Sequence, residues 1–368
     1  MSFALYIHWP FCLSKCPYCD FNSHVRERFD EHDWEGAYLK VLDQHADLYP
    51  KGSLRSVFFG GGTPSLMSPK LVEKVLQKVN DLWGSPQEIT LEANPNSVEV
   101  SKFEAFKSAG VNRISVGIQS FNDVDLKFLG RQHSAKEGLK ALEIASKVFD
   151  NFTFDLIYAR PNQTLEMWNQ ELNQALAWRS PHLSLYQLTI EPGTAFEKLY
   201  NRGDFKLPDE DLAADLYELT REQTALKGLV DYEVSNYAKP GFESLHNLAY
   251  WEYQDYVGIG PGAHGRITEG VQKFATRQYK TPEKWLQKAL EGASYEEKTE
   301  LSLESQNIER LLMGLRLKKG ITWPYSQKIE TLVFENLAFY KEGVLSLSPE
   351  GRLKTNSVLE YLVKGESL

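Results

Sequence analysis

Cys12-Leu-Ser-Lys-Cys16-Pro-Tyr-Cys19 sets three thiols in the spacing C-x3-C-x2-C, directly after an apolar run that begins at Phe3. These are the only three cysteines of the chain. An odd count with no distant partner builds no disulfide framework and points to a reducing compartment. Three thiolates on one short loop can grip a compact metal centre, and Pro17 stiffens that loop. Structural zinc takes four protein ligands, and His24 offers a fourth for a Cys3His site. Cubane iron–sulfur clusters are usually held by four cysteines, so three would leave one iron open to a small molecule. Spacing alone leaves the zinc site, the iron–sulfur centre and an incidental cluster of cysteines as alternatives.

Such a loop needs rigid elements behind it. Runs rich in Val, Ile, Phe and Tyr recur as FALYIH from Phe3, SVFFG from Ser56, EITLEA from Glu88, RISVGIQ from Arg113, FTFDLIY from Phe152 and HLSLYQL from His182. Amphipathic stretches separate them, among them WEGAYLKVLDQHADLY from Trp34 and KLVEKVLQKVNDLW from Lys70. Strands alternating with helices predict parallel pairing through crossovers. Six units make a partial barrel or an open doubly wound sheet. Polar groups follow one strand after another: the cysteines, then Gly60-Gly61-Gly62-Thr63-Pro64, then Glu92-Ala-Asn-Pro, then Gln119-Ser-Phe. Asp155 lies in the fifth strand, and Gln187 and Thr189 end the sixth. Polar groups repeated at carboxyl ends converge on one mouth of a barrel. The expected fold class is α/β, a partial (β/α)6 TIM-like barrel with its site at that mouth and a C-terminal α+β region.

The 368 residues divide into an expected core over 1–230, an irregular, aromatic-rich extension over 231–300 and a C-terminal module over 301–368. In the module, SLESQNIERLLMGLRL and ETLVFENLAFYKEG are predicted helices, VLSLSPEGRLK a hairpin and NSVLEYLV a last helix, a winged-helix-like pattern. Residues 303–368 hold nine Lys/Arg against eight Asp/Glu, too neutral for a DNA reader, and the chain's net charge of -9 also disfavours nucleic acid. A 42% hydrophobic composition supports a large core. No apolar run reaches a membrane span, and the mean hydropathy is -0.42. The first residues, MSFALYIHWPFC, lack the basic start and cleavage site of a signal peptide and read as a strand. A cytoplasmic protein is expected.

The glycines at 60–62 let backbone approach a ligand closely. No Gly-Lys-Ser/Thr follows them, so they form no P-loop. Together with the cysteine spacing they resemble the signature of radical S-adenosylmethionine (SAM) proteins. In that superfamily the SAM amino and carboxylate groups chelate the open iron of a [4Fe–4S] cluster. The resemblance implies Cys12, Cys16 and Cys19 as cluster ligands and Gly61, Gly62 and Thr63 against the methionine part of SAM. Taken singly, Glu92, Gln119, Arg131 and Asp155 read as solvated or satisfied polar residues. With the two motifs they match SAM-binding positions in the oxygen-independent coproporphyrinogen III oxidases and their relatives, as do Tyr6 and Tyr18. Ala159-Arg160-Pro161-Asn162 departs from that subgroup's Gly-Leu-Pro-Gly loop.

The resemblance extends over nearly the whole chain, through IEPGT, EVSNYAKPG and GIGPGAHG. It is closest to the haem-chaperone branch of the family. The oxidases carry a fourth motif cysteine in C-x3-C-x2-C-x-C, where this chain has Phe21, and a longer segment before the cysteines. His246-Asn-Leu-Ala-Tyr250-Trp251 fits that branch's H-N-x-x-Y-W motif, implying His246 as a haem ligand, with His264 a weaker second. A lone His in an aromatic loop is otherwise a buried, satisfied residue. His8 and His24 flank the cluster loop and are placed to tune it through hydrogen bonds. The implied function is a haem chaperone that binds a [4Fe–4S] cluster, SAM and haem. Its implied partners are acceptor haemoproteins, membrane respiratory proteins among them, with a homodimer and a peripheral place at the inner membrane. The enzyme alternative is oxidative decarboxylation of coproporphyrinogen III to protoporphyrinogen IX. A zinc-bearing winged-helix regulator is the third class.

Overall fold

Near-continuous burial along the first strand, β1 (Phe3–Trp9), already requires cover on both faces. The computed structural model, which describes residues 2–26 and 30–364, supplies that cover with a repeating βα chain. After β1 come α1 (Glu31–Gln44), β2 (Leu54–Gly61), α2 (Pro69–Trp83), β3 (Glu88–Ala93), α3 (Phe103–Ser108), β4 (Arg113–Gln119), α4 (Ala135–Val148), β5 (Asn151–Tyr158), α5 (Leu165–Ala177), β6 (His182–Gln187) and α6 (Glu210–Leu226). Local chemistry starts these helices. Ser68 caps α2 with Pro69 at its first position, and Ser134 with Glu137 makes a capping box on α4.

Strands β1 to β6 pair in parallel in sequence order, so their carboxyl ends share one side. Alternation along each strand then sorts the side chains. Leu91, Val116, Phe154 and Leu156 enter the main hydrophobic core, while Glu92, Ser115, Gly117 and Asp155 line a cavity. The α/β class expected from the repeats is the observed one.

The stretch expected to be irregular is instead largely regular. Residues 230–300 give β7 (Val230–Asp231), β8 (Asn236–Ala238), α7 (Leu245–Trp251), β9 (Asp255–Ile259), β10 (His264–Glu269), β11 (Gln272–Gln278), α8 (Pro282–Glu291) and β12 (Tyr295–Glu300). Strand β9 adds to β1 in parallel, and β10 to β12 continue as an antiparallel meander. At the other edge β8 and β7 pair antiparallel beyond β6, completing a twelve-stranded sheet. Gly-rich turns between short strands hid this regularity in the sequence.

The C-terminal residues form α9 (Leu303–Gly314), β13 (Ile321–Thr322), α10 (Gln327–Phe334), β14 (Ala338–Lys341), β15 (Val344–Leu347), α11 (Pro349–Leu353) and α12 (Thr355–Val363) around a separate apolar cluster. The hairpin is β14–β15, not residues 344–354 as expected, and the second helix stops at Phe334. Asn336 at φ 57° ends that helix, and Glu342-Gly343, both at positive φ, make the tight turn. Ser348 then caps α11, with Pro349 at its first position.

This unit is tied to the large sheet at two places, on β10 and on the edge strand β7. On β10, Arg266 pairs with Glu309 of α9 at 2.6 Å, and Glu309 also accepts from the Tyr253 hydroxyl at 2.6 Å. On β7, Asp231 receives Lys318 at 2.5 Å and Arg221 and Arg352 at 3.1 Å each. Burial alone would raise the Asp231 pKa, but Lys318, Arg352 and Arg221 outweigh it and hold the carboxyl below its usual range. Its stabilisation is therefore present above the unfolded carboxylate value, near 3.9, and fades as pH falls through the lower folded value. Asp231→Ala leaves the buried Arg352 without its counter-charge and should cost roughly 3–5 kcal/mol. Hydrogen exchange should report it as early opening of α11 and α12.

Candidate functional site

The carboxyl ends of β1 to β6 open into a cavity of about 1100 Å³. Cys12, Cys16 and Cys19 line it, with Tyr18, Gly61, Gly62, Thr63, Glu92, Gln119, Arg131 and Asp155. Of the residues that the sequence assigned to the cluster, to SAM or to haem, Tyr6, His246 and His264 are not on its wall.

Backbone pairing fixes the cysteine loop. Gly62 N–H donates to Trp9 O at 2.7 Å and Thr63 N–H to Phe11 O at 2.8 Å, so the glycine run lies against the start of the loop. A Cβ on Gly61 would stand 2.4 Å from the His8 ring, and one on Gly62 would stand 2.7 Å from Phe11 O. Glycine is required at both positions by close approach.

Two thiols are tied to the strand ends. Thr63 Oγ1 donates to Cys12 Sγ at 3.3 Å, and Arg131 Nη1 reaches Cys16 Sγ and the Tyr18 hydroxyl at 3.5 Å each. Arg131 Nη2 donates to Asn94 Oδ1 at 2.6 Å and Gly117 O at 3.0 Å, and Asn94 Nδ2 donates to Thr63 Oγ1 at 3.1 Å. Asn94 thus couples the two, a role that sequence reading missed although its place just past a strand was visible. Burial raises the thiol pKa of Cys12 and of Cys19, so their deprotonation is coupled to metal uptake.

The donor set fits a metal cluster: three thiols facing one cavity, beside a glycine cradle that a Cβ would fill. Among the described residues no three His, Cys, Asp or Glu converge to hold a single metal ion. A multi-iron cluster takes its thiolates on different irons, wider apart than four ligands at about 2.3 Å from one zinc. His24, the candidate fourth zinc ligand, is hydrogen-bonded to Asn22 Oδ1 at 3.3 Å. His8 is buried and its pKa is lowered to about 4, chiefly by desolvation. Neutral His8 therefore donates from Nε2 to Asn22 O at 2.9 Å and accepts from the Tyr6 hydroxyl at Nδ1, 3.0 Å away. Tyr6 accordingly orients His8 and stacks on Phe58.

Glu92 opens onto the cavity but is enclosed by protein. Desolvation, then the Asp155 charge, pushes its pKa up to about 8, while Asp155 rises to about 6, mainly through burial. Glu92 is thus protonated at neutral pH and can donate a hydrogen bond to a ligand. A carboxyl whose folded pKa exceeds its ordinary 4.5 costs stability progressively as pH climbs from that value to about 8. Glu92→Gln, which keeps the protonated shape, should raise the Tm of cluster-free protein at pH 8 and change it little at pH 4. Gln119 sits at φ 69°, Ala159 at 55° and Asn162 at 61°. The last two hold, without glycine, the left-handed backbone that favours it.

His246 sits on α7, away from the cavity. Its Nδ1 is 3.1 Å from Ser56 Oγ and its Nε2 2.9 Å from the Tyr250 hydroxyl, with Phe58 stacked at 4.9 Å. It is 1% exposed, and desolvation lowers its pKa to about 3. The imidazole therefore has no free nitrogen to offer an iron in this conformation. The motif alone could not show this, because Ser56 and Phe58 come from a distant strand. His264 is exposed at the start of β10, also off the cavity wall.

The sequence pattern of the Radical SAM superfamily matches residues 6–175. Aligned over 378 residues, the chain is 33% identical to Heme chaperone HemW of Bacillus subtilis (strain 168), covering 96% of this chain and 97% of that protein. This chain belongs to the HemW family of radical SAM proteins. It is also 43% identical to Heme chaperone HemW of Escherichia coli (strain K12), over 72% of this chain and 70% of that protein. Identity is 40% to the mouse Radical S-adenosyl methionine domain-containing protein 1, mitochondrial, over 89% and 76% of the two chains. The fold matches the coproporphyrinogen III oxidase HemN from Escherichia coli, a radical SAM enzyme, with a TM-score of 0.80 and 20% identity over 99% of this chain and 90% of that one. At that identity the likeness speaks for the fold. Among the described residues no helix is long and apolar enough to cross a membrane.

Proposed function

We propose that the chain is a haem carrier that binds a [4Fe–4S] cluster through Cys12, Cys16 and Cys19, holds SAM in the same cavity, and passes haem to acceptor haemoproteins. The reading rests on the 33% identity to the Bacillus HemW chaperone across 96% of the chain. Phe21, where the oxidases carry a fourth motif cysteine, supports it. A cluster bound here would supply one-electron chemistry and an open iron for the SAM amino and carboxylate groups. The chain's own residues orient it: Thr63 and Arg131 hold Cys12 and Cys16, and protonated Glu92 and ionised Asp155 offer a donor and an acceptor. The cavity, about 1100 Å³, exceeds the usual volume of a single small-ligand site and leaves room for cargo beside SAM. A cytoplasmic, homodimeric carrier serving membrane respiratory acceptors is part of the proposal.

The test is anaerobic reconstitution with iron and sulfide, then haem titration followed by the Soret band and by transfer to an apo-haemoprotein. Saturable binding and transfer are expected. Protoporphyrinogen IX formed from coproporphyrinogen III, with SAM and reductant and without haem binding, would replace the carrier by the oxidase. His246→Ala should cost about 2–4 kcal/mol through lost packing and leave the Soret band of the complex unchanged. A changed Soret band at unchanged Tm would restore His246 as the axial ligand.

A further inference from the structure

The C-terminal unit supplies part of the cavity wall. Arg316, just beyond α9, and residues 352–357, where α11 passes into α12, line it with Tyr217 of α6. The Arg352 side chain is 6% exposed, and its Nη1 pairs with Asp231. Its Nη2 is buried beside the Tyr217 hydroxyl, and neither has a closer hydrogen-bond partner among the described residues. Arg316 makes no ion pair among the described residues. Its Nη1 donates to Leu312 O, and its Nη2 reaches Asn356 Oδ1 at 3.5 Å. Helix α12 begins beside them with no side-chain cap, so its first N–H groups are open to a ligand. Lys354 at its N-cap position is paired with Glu350 at 2.5 Å. The cavity's own carboxylates, on Asp20, Glu92, Glu99, Asp155, Glu191 and Glu210, form no ion pair with Arg316 or Arg352.

This wall therefore carries more positive charge and more unmet donors than the protein itself uses. A half-buried guanidinium that meets no carboxylate of its own, as on Arg316, suits a carboxylate, with the under-satisfied Arg352 behind it, and an open helix N-terminus adds to the attraction. The wall next to it is apolar and flat-sided, with Ile157, Tyr158, Tyr186 and Leu188. We propose that Arg352, Arg316 and the N-terminus of α12 form a carboxylate subsite that receives an acidic side chain of a tetrapyrrole whose ring lies along the apolar wall. The proposal rests on the haem-carrier reading and adds where the cargo's propionates go. It also gives the clasp at Asp231 a second consequence, because Asp231 holds Arg352 in place.

The test uses the reconstituted protein with two probes, haem and haem dimethyl ester, whose propionates are esterified. The parent should bind haem roughly ten- to hundredfold more tightly than the ester, the range expected for hydrogen bonds to a charged group. In Arg316→Gln and Arg352→Lys, each checked for parental Tm, that preference should fall several-fold while affinity for the ester stays unchanged. SAM affinity should also be unchanged in both variants; its loss would assign the subsite to the SAM carboxylate and overturn the proposal. Equal binding of haem and ester by the parent would overturn the subsite and leave the carrier reading standing. Absence of saturable binding by either probe would overturn both.

Discussion

Alanine at any one of Cys12, Cys16 or Cys19 is expected to abolish cluster assembly, with iron and acid-labile sulfide falling to background after anaerobic reconstitution. The expectation is all-or-none because three thiols are the whole cysteine complement of the chain. No fourth cysteine can substitute; His8 is bonded at both ring nitrogens, to the Tyr6 hydroxyl and Asn22 O, and His24 is bonded through Nε2 to Asn22 Oδ1. The thiols lie on a half-buried loop rather than in the core, so the variants should fold, with Tm close to the parent's. SAM binding, read by equilibrium dialysis, should be lost in parallel. Iron and sulfide retained in any single variant would remove that cysteine from the site. Zinc bound stoichiometrically without sulfide in the parent would replace the cluster with a single-metal site.

Gly62→Ala should be strongly destabilising and should disturb the cysteine loop directly. Its added Cβ would lie 2.7 Å from Phe11 O and 2.9 Å from Trp9 O and the Pro10 carbonyl carbon, all backbone atoms that cannot rotate away. Relief requires the end of β2 to part from the cysteine loop, breaking the Gly62–Trp9 and Thr63–Phe11 hydrogen bonds. A loss of about 3 kcal/mol is expected from the overpacking, together with lower cluster occupancy because the loop bearing Cys12 moves. Gly36→Ala in α1 is the control. Its Cβ would meet only a Leu290 methyl at 3.7 Å, so it should stabilise by about 0.5–1 kcal/mol as glycine leaves a helix. Thermal melts of the two variants should therefore move in opposite directions. A neutral Gly62→Ala would mean that the loop is not held as described.

Much of the site was legible because its parts are local. Cys12, Cys16 and Cys19 share one loop, Gly61 and Gly62 one turn, and Glu92, Gln119 and Asp155 each sit in or at the end of a strand whose apolar pattern is evident. Once the strands pair in parallel, those ends must meet. Asn94 escaped notice because its value lies in joining Arg131 to Thr63, residues 37 and 31 positions away. The hairpin at β14–β15 was misplaced by several residues because Phe339 and Tyr340 fit either period, and the Glu342-Gly343 turn decided it.

By itself, then, the sequence determined the α/β repeat, the thiol loop and the polar strand ends, since periodicity and spacing are properties of neighbouring residues. Tertiary structure decided what depends on distant partners. It put His246 against Ser56, 190 residues earlier, where its nitrogens are already occupied. It continued residues 230–300 into the sheet on both edges, and it brought Arg352 to Asp231 so that the C-terminal unit closes on the cavity. Burial and charge pairing at such separations follow from how the elements pack, and no local pattern carries that information.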